Sequence, residues 1–127
     1  MINARTNLAA VMLVFLSTVA GHAADCDDPL DTALALACAG DDLALADKTL
    51  NALYRDLLSR LKQQDSVEAE KRLRTSQRNW IAFRDAECSL RGHVMEGGTY
   101  QSVIETSCLA ELTQERNGHL RTLLDMY

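Results

Sequence analysis

The sequence predicts an all-α protein: a small antiparallel helical bundle of three main helices plus a short N-terminal helix, stapled by two disulfides. Three observations predict it. Apolar residues recur at helical spacing over three long segments, and nothing of useful length alternates with the two-residue period of a strand. Proline and glycine, which would interrupt such segments, are scarce, at 1 and 6 in 127 residues. The four cysteines all follow an apolar leader, and their number is even.

The leader comes first. Residues 1–7 carry one base, Arg5, and no acid, and residues 8–19 form an apolar run too short to span a bilayer. Small residues follow at Ala20, Gly21, Ala23 and Ala24. Residues 1–24 are therefore expected to be a signal peptide cleaved after Ala23 or Ala24, the first placing two small residues at the recognition positions. An uncut membrane anchor is the competing reading. Asp25 before Cys26 does not suit a lipid-modified cysteine. Residues 25–127 are expected to form a single helical domain, periplasmic or secreted, with no membrane anchor after cleavage.

In an oxidising compartment Cys26, Cys38, Cys88 and Cys108 suggest two bridges. Three pairings are possible. Cys26–Cys38 and Cys88–Cys108 are favoured because each closes a local loop between consecutive elements. A zinc site is disfavoured, since there is no C-x-x-C and the spacings are long and irregular. The formal net charge is −5, and loss of Arg5 makes it −6. That balance argues against nucleic acid and anionic membrane as partners and suits a basic protein.

A short helix is expected over residues 29–38, with Asp28 as cap, Pro29 in the first helical position and Asp31 in the first turn. It should end at Ala39-Gly40, with Asp41 capping the next helix and Asp42 at its positive end. With Asp27, these residues also make an acidic surface available to a basic partner. The helix over residues 42–63 carries Leu43, Ala46, Leu50, Leu53, Tyr54, Leu57, Leu58 and Leu61 on one face, with Asp47 among them and Asn51 at the edge. Asp65-Ser66-Val67-Glu68 has capping-box form and opens a helix running to about Leu90. Its packing face holds Leu73, Gln77, Trp80, Arg84 and Cys88, while Lys71, Arg72, Arg74 and Arg78 read as a solvated outer face. Gly92, Gly97 and Gly98 mark the one long irregular stretch. The last helix starts at Ser102, or a turn earlier at Thr99. It carries Leu109, Leu112, Thr113, Arg116, Leu120, Leu123 and Leu124 on one face.

The three inward faces thus offer Asp47, Gln77, Arg84, Thr113 and Arg116 beside Trp80 and Tyr54. A polar group on a packing face needs a partner. These residues are expected to form an internal network that fixes helix register. Catalysis is not expected. His93 lies in the glycine stretch and His119 points away from its leucine stripe, and neither has an evident nucleophile beside it. There is no phosphate-binding glycine loop, H-E-x-x-H or haem-attachment motif, so no cofactor or metal is expected.

The order of motifs resembles the small secreted bacterial family typified by the N-terminal domain of the LprI lysozyme inhibitor. The matching pieces begin with Ala46-Asp47-x-x-Leu50-Asn51-x-x-Tyr54 and Gln77-x-x-Trp80-x-x-x-Arg84-Asp85-x-x-Cys88. Gly97-Gly98 and Cys108-Leu109-x-x-Leu112-Thr113-x-x-Arg116-x-x-x-Leu120 complete them. The resemblance implies a helical, disulfide-bridged, exported protein, and with it inhibition of lysozyme or another basic cell-wall hydrolase. The alternative is a periplasmic binding or helper module, structural or stress-related, without inhibitory activity. The motif residues are expected to belong to the core. The expected partner-binding candidates are therefore His93, Glu96, Gly97, Gly98 and Tyr100, together with Asp27, Asp28, Asp41 and Asp42.

Overall fold

A computed structural model describes Cys26 and residues 31–127. These residues fold into three helices: α1 (Thr32–Gln63), α2 (Val67–His93) and α3 (Gln101–Met126). Among the described residues there is no strand. The chain reverses between α1 and α2 and again between α2 and α3, so α1 and α3 run parallel with α2 antiparallel to both. Their register is set by Asn117 Nδ2, which donates to the Ala46 carbonyl at 3.0 Å, and by Arg60 Nη1, which donates to the Leu124 carbonyl at 2.9 Å. α1 packs mainly on α3, α3 also holds α2, and α1 meets α2 least.

The expected break at Gly40 is absent. α1 continues through it for 32 residues, about 48 Å at 1.5 Å per residue. The cap is Asp31, whose Oδ1 accepts from Leu34 N–H at 2.7 Å, and Asp41 and Asp42 are exposed mid-helix residues, not helix starters. A glycine inside a helix costs roughly 1 kcal/mol against alanine. Here Ala35, Cys38, Ala39 and Ala46 are buried on either side of it, and that packing carries the helix across. Asp27, Asp28 and Pro29 lie outside the described residues.

The turn into α2 uses Asp65 at φ 52°, a left-handed conformation that aspartate tolerates. The capping box does not form there: Ser66 is the cap residue and makes no side-chain capping hydrogen bond. α3 starts at Gln101, between the two expected positions.

The core divides lengthwise. Leu50, Leu57, Leu61, Leu73 and Leu120 form the larger apolar cluster, with Tyr54, Trp80 and Leu123 packed against it. Toward the α2–α3 turn a smaller cluster holds Cys88, Cys108 and Leu112. Both disulfides belong to that end. Cys26 pairs with Cys38 (Cα–Cα 5.7 Å) and Cys88 with Cys108 (Cα–Cα 5.4 Å).

Candidate functional site

Two regions gather the polar residues singled out in the sequence. The first is internal. Arg84 Nη1 donates to Thr113 Oγ1 at 3.2 Å and lies 3.4 Å from Asp47 Oδ1, so one guanidinium links all three helices. Arg84 Nε donates to Asp85 Oδ1 at 2.9 Å. One turn deeper, Arg116 Nε donates to Gln77 Oε1 at 3.1 Å and Arg116 Nη2 to Ser76 Oγ at 3.0 Å. Both guanidinium carbons stand over the Trp80 ring, at 5.1 Å for Arg84 and 5.9 Å for Arg116, within cation–π range.

The two arginines differ electrostatically. Arg84 meets carboxylates that are themselves well hydrated, Asp47 and Asp85 being 45% and 57% exposed at the side chain. Arg116 is buried and finds only neutral oxygens and the indole ring. Burial pushes its pKa down, because its charge has lost water without gaining a carboxylate. Of the residues expected to form one network, Asp47, Arg84 and Thr113 make one hydrogen-bonded group and Gln77 and Arg116 another, and the two meet only at the Trp80 ring. Asn51 and Tyr54 stand apart from both groups: neither side chain hydrogen-bonds to their members. Ser76 and Asn117 are not among the expected residues. Asn117 nonetheless carries a legible signal, sitting four residues after Thr113 on the same leucine stripe. Its Oδ1 is buried without a protein partner.

The second region is the end of the bundle around residues 94–100. The stretch that reads as irregular is a chain of hydrogen-bonded turns. Met95 N–H donates to the Gly92 carbonyl (3.0 Å), Glu96 N–H to that of His93 (3.0 Å), and Gly98 N–H to that of Met95 (2.8 Å). Gly97 takes φ 75°, which a side chain would resist, and its N–H donates to Gln101 Oε1 at 3.2 Å. Gln101 Nε2 in turn donates to Glu105 Oε1 at 2.9 Å. The Glu105 side chain lies directly against Gly92, where any Cβ would collide with it. This arrangement, with the Cys88–Cys108 bridge behind it, fixes the turn against the two helices.

At this end large apolar side chains face outward. Leu90 is 66% exposed, Val94 79%, Met95 47% and Tyr100 45%. Leu90 lies outside the segment expected to bind a partner. Its place off the Trp80–Cys88 face is nonetheless readable in the sequence. Around these residues charge is one-sided. Over residues 31–47, 80–100 and 101–114 the carboxylates are Asp31, Asp41, Asp42, Asp47, Asp85, Glu87, Glu96, Glu105 and Glu111. The guanidinium and ammonium groups of the same stretches are Arg84 and Arg91 alone, both already ion-paired. Arg91 donates to Glu87 and Glu111, each at 3.0 Å. The Glu87 hydrogen bond leads in raising its pKa. His93 Nδ1 lies 2.8 Å from Glu96 Oε2 on the exposed turn. The described residues contain no cluster of three or more metal-ligand side chains.

A family model described as lysozyme inhibitor LprI matches residues 26–120. The chain belongs to the LprI family. Other proteins resemble it at the level of sequence and of fold. An uncharacterized protein of Rhizobium meliloti (strain 1021) is 33% identical over 97 residues, covering 69% of this chain and 70% of that protein. The crystal structure of a DUF1311 family protein from Pseudomonas putida KT2440 superposes with a TM-score of 0.64 at 28% identity, covering 70% of this chain and 89% of the other. The match runs from Cys26, the first bridged cysteine, to Leu120, which is fully buried in the leucine cluster, so the LprI unit takes in both disulfides and the whole internal network. The family is described as an inhibitor-type family, and the two disulfides of this chain suggest an exported protein. Among the described residues no helix is long and apolar enough to cross a membrane.

Proposed function

We propose that this protein is exported by a signal peptide spanning residues 1–24 and binds a basic cell-wall hydrolase of the lysozyme type, blocking it without catalysis. One observation carries the reading: the turn over residues 94–100 is rigidly held, presents Leu90, Val94, Met95 and Tyr100 to solvent, and stands in a region rich in carboxylates. An apolar centre with a charged surround is how a specific protein interface is built, the apolar part supplying affinity and the charge steering encounter. Glu96 sits in the turn itself, and Asp41 and Asp42 extend the negative field along α1. Gly97 and Gly98 shape the turn rather than contact the partner. The motif residues around Trp80 hold the helices in register behind it.

The test is a turbidity assay on bacterial cell walls with c-type and g-type lysozymes, paired with gel filtration of the mixture. The expected result is slowed lysis with at least one lysozyme, and a complex that Met95→Asp or Glu96→Lys abolishes while Arg72→Ala, at the far end, leaves it intact. Undiminished lysis at excess protein, with no complex in gel filtration, would overturn the reading.

A further inference from the structure

The sparse contact between α1 and α2 leaves a groove along the middle of the bundle, away from the 94–100 turn. It is open to solvent and offers about 310 Å³, the lower end of the range for small-ligand sites. Its walls are apolar at Leu50 and Ile81, and its polar lining is unusual. Gln77 is only 8% exposed, and its Oε1 is taken by Arg116. The other half of that amide, the Nε2 donor, has no protein partner. Across the groove the Asn51 amide and the Tyr54 hydroxyl also make no hydrogen bond among the described residues. Arg78 donates only to the neighbouring Thr75 hydroxyl, at 3.2 Å, and pairs with no carboxylate among the described residues. Arg74 touches Glu70 loosely, at 3.7 Å. No acidic side chain lines the groove.

We propose that this groove is a binding site for a small amphipathic carboxylate: a short peptide's terminal carboxylate with an aliphatic side chain next to it. The donors set the sign of the ligand. Guanidinium, amide and hydroxyl groups together ask for an acceptor, and the planar fork of Arg78 suits a carboxylate. One uncompensated cation matches a single negative charge better than the two of a phosphate. The apolar walls ask for more than a bare ion. In a protein of negative net charge, an exposed arginine without a carboxylate partner, beside a Gln77 amide donor that opens to the groove, is a local reversal that the internal network does not require. Leu50 on α1 and Ile81 on α2 line the groove together with Arg78 and Gln77, so apolar surface and donors are offered to the same ligand.

The site is independent of the hydrolase reading, and so is its test. The probe is N-acetyl-Ala-Leu, titrated as the free acid and as the C-terminal amide into the full-length exported protein. Two readouts apply: the fluorescence of Trp80, the chain's single tryptophan, one turn from Gln77, and amide chemical shifts. The acid is expected to give saturable changes centred on α1 residues 50–54 and α2 residues 74–81, and the amide none. Arg78→Ala should weaken the acid by about tenfold or more, the loss of one charge-assisted contact, and Tyr54→Phe by less. Arg72→Ala, outside the groove, should leave binding unchanged, and circular dichroism would confirm that each variant is folded. Three outcomes would overturn the proposal: no saturable shifts from the acid, equal binding of the amide, or competition by acetate at the same concentration as the peptide.

Discussion

Replacing Arg84 with alanine separates two accounts of the internal network. If its carboxylate partners were buried, the loss would strand a charge and cost roughly 3–5 kcal/mol. The structure argues for less. Asp47 and Asp85 are 45% and 57% exposed at the side chain and would simply hydrate, so their pairing contributes at most about 1 kcal/mol. The hydrogen bond to fully buried Thr113 contributes about 1 kcal/mol. The Trp80 cation–π contact adds roughly 0.5–1 kcal/mol. The expected cost of Arg84→Ala is therefore about 2–3 kcal/mol. Urea unfolding with disulfides intact, followed by far-ultraviolet circular dichroism, measures it. Double-mutant cycles apportion it: coupling to Asp47→Ala should fall below about 0.5 kcal/mol, and coupling to Thr113→Val should reach about 1 kcal/mol. A loss above about 4 kcal/mol, with most of it coupled to Asp47, would refute the reasoning, since the carboxylate would then be acting as a buried partner.

Gly40→Ala and Gly118→Ala should each stabilise by about 0.5–1 kcal/mol in the same urea experiment, because both lie inside helices and an added methyl meets nothing within 4 Å. Gly92→Ala should cost roughly 1–3 kcal/mol through its collision with Glu105, and Glu105→Ala in the same chain should recover most of that loss. Arg116 gives a prediction about pH. Its folded pKa is lowered by burial, so the charged form opposes folding at every pH below that value, and relief comes only as pH rises through it in strongly alkaline solution. The stability difference between wild type and Arg116→Met should then be the same at about pH 6 and about pH 9. A difference that changed between them would implicate another titrating group.

The helices are legible in the sequence because leucine spacing carries their packing. The internal network is legible because polar residues on an apolar stripe must find one another. Gly40 misleads because its cost is local, while the burial of Ala35, Ala39 and Ala46 that offsets it is tertiary. Asn51 and Tyr54 show what spacing leaves open. Tyr54 does pack against the leucine cluster that also holds Trp80, yet its side chain and that of Asn51 hydrogen-bond to no member of the network, and α1 meets α2 least of the helix pairs, which periodicity does not announce. The outward-facing Leu90 and Val94 are visible as letters. Helical spacing already puts Leu90 off the packing face, whereas the exposure of Val94 depends on how the turn folds, through hydrogen bonds such as Gly97 to Gln101 that no pattern announces.

The lengthwise division of the core has a consequence for cooperativity. One half of the bundle is held by a cluster of five buried leucines and the other by two covalent bridges and a smaller cluster in which Leu109 and Leu112 pack on the Cys88–Cys108 bridge. The two halves therefore answer to different agents. Heat and urea act on both. A thiol reductant acts on one, releasing the 94–100 turn while the leucine half stays folded, so that unfolding stops being a single all-or-none event. Hydrogen exchange would record this as protection lost from the α2–α3 end alone. The end that presents the exposed apolar residues thus draws part of its stability from disulfides, and its shape answers to the redox state of the compartment in a way that the leucine half does not.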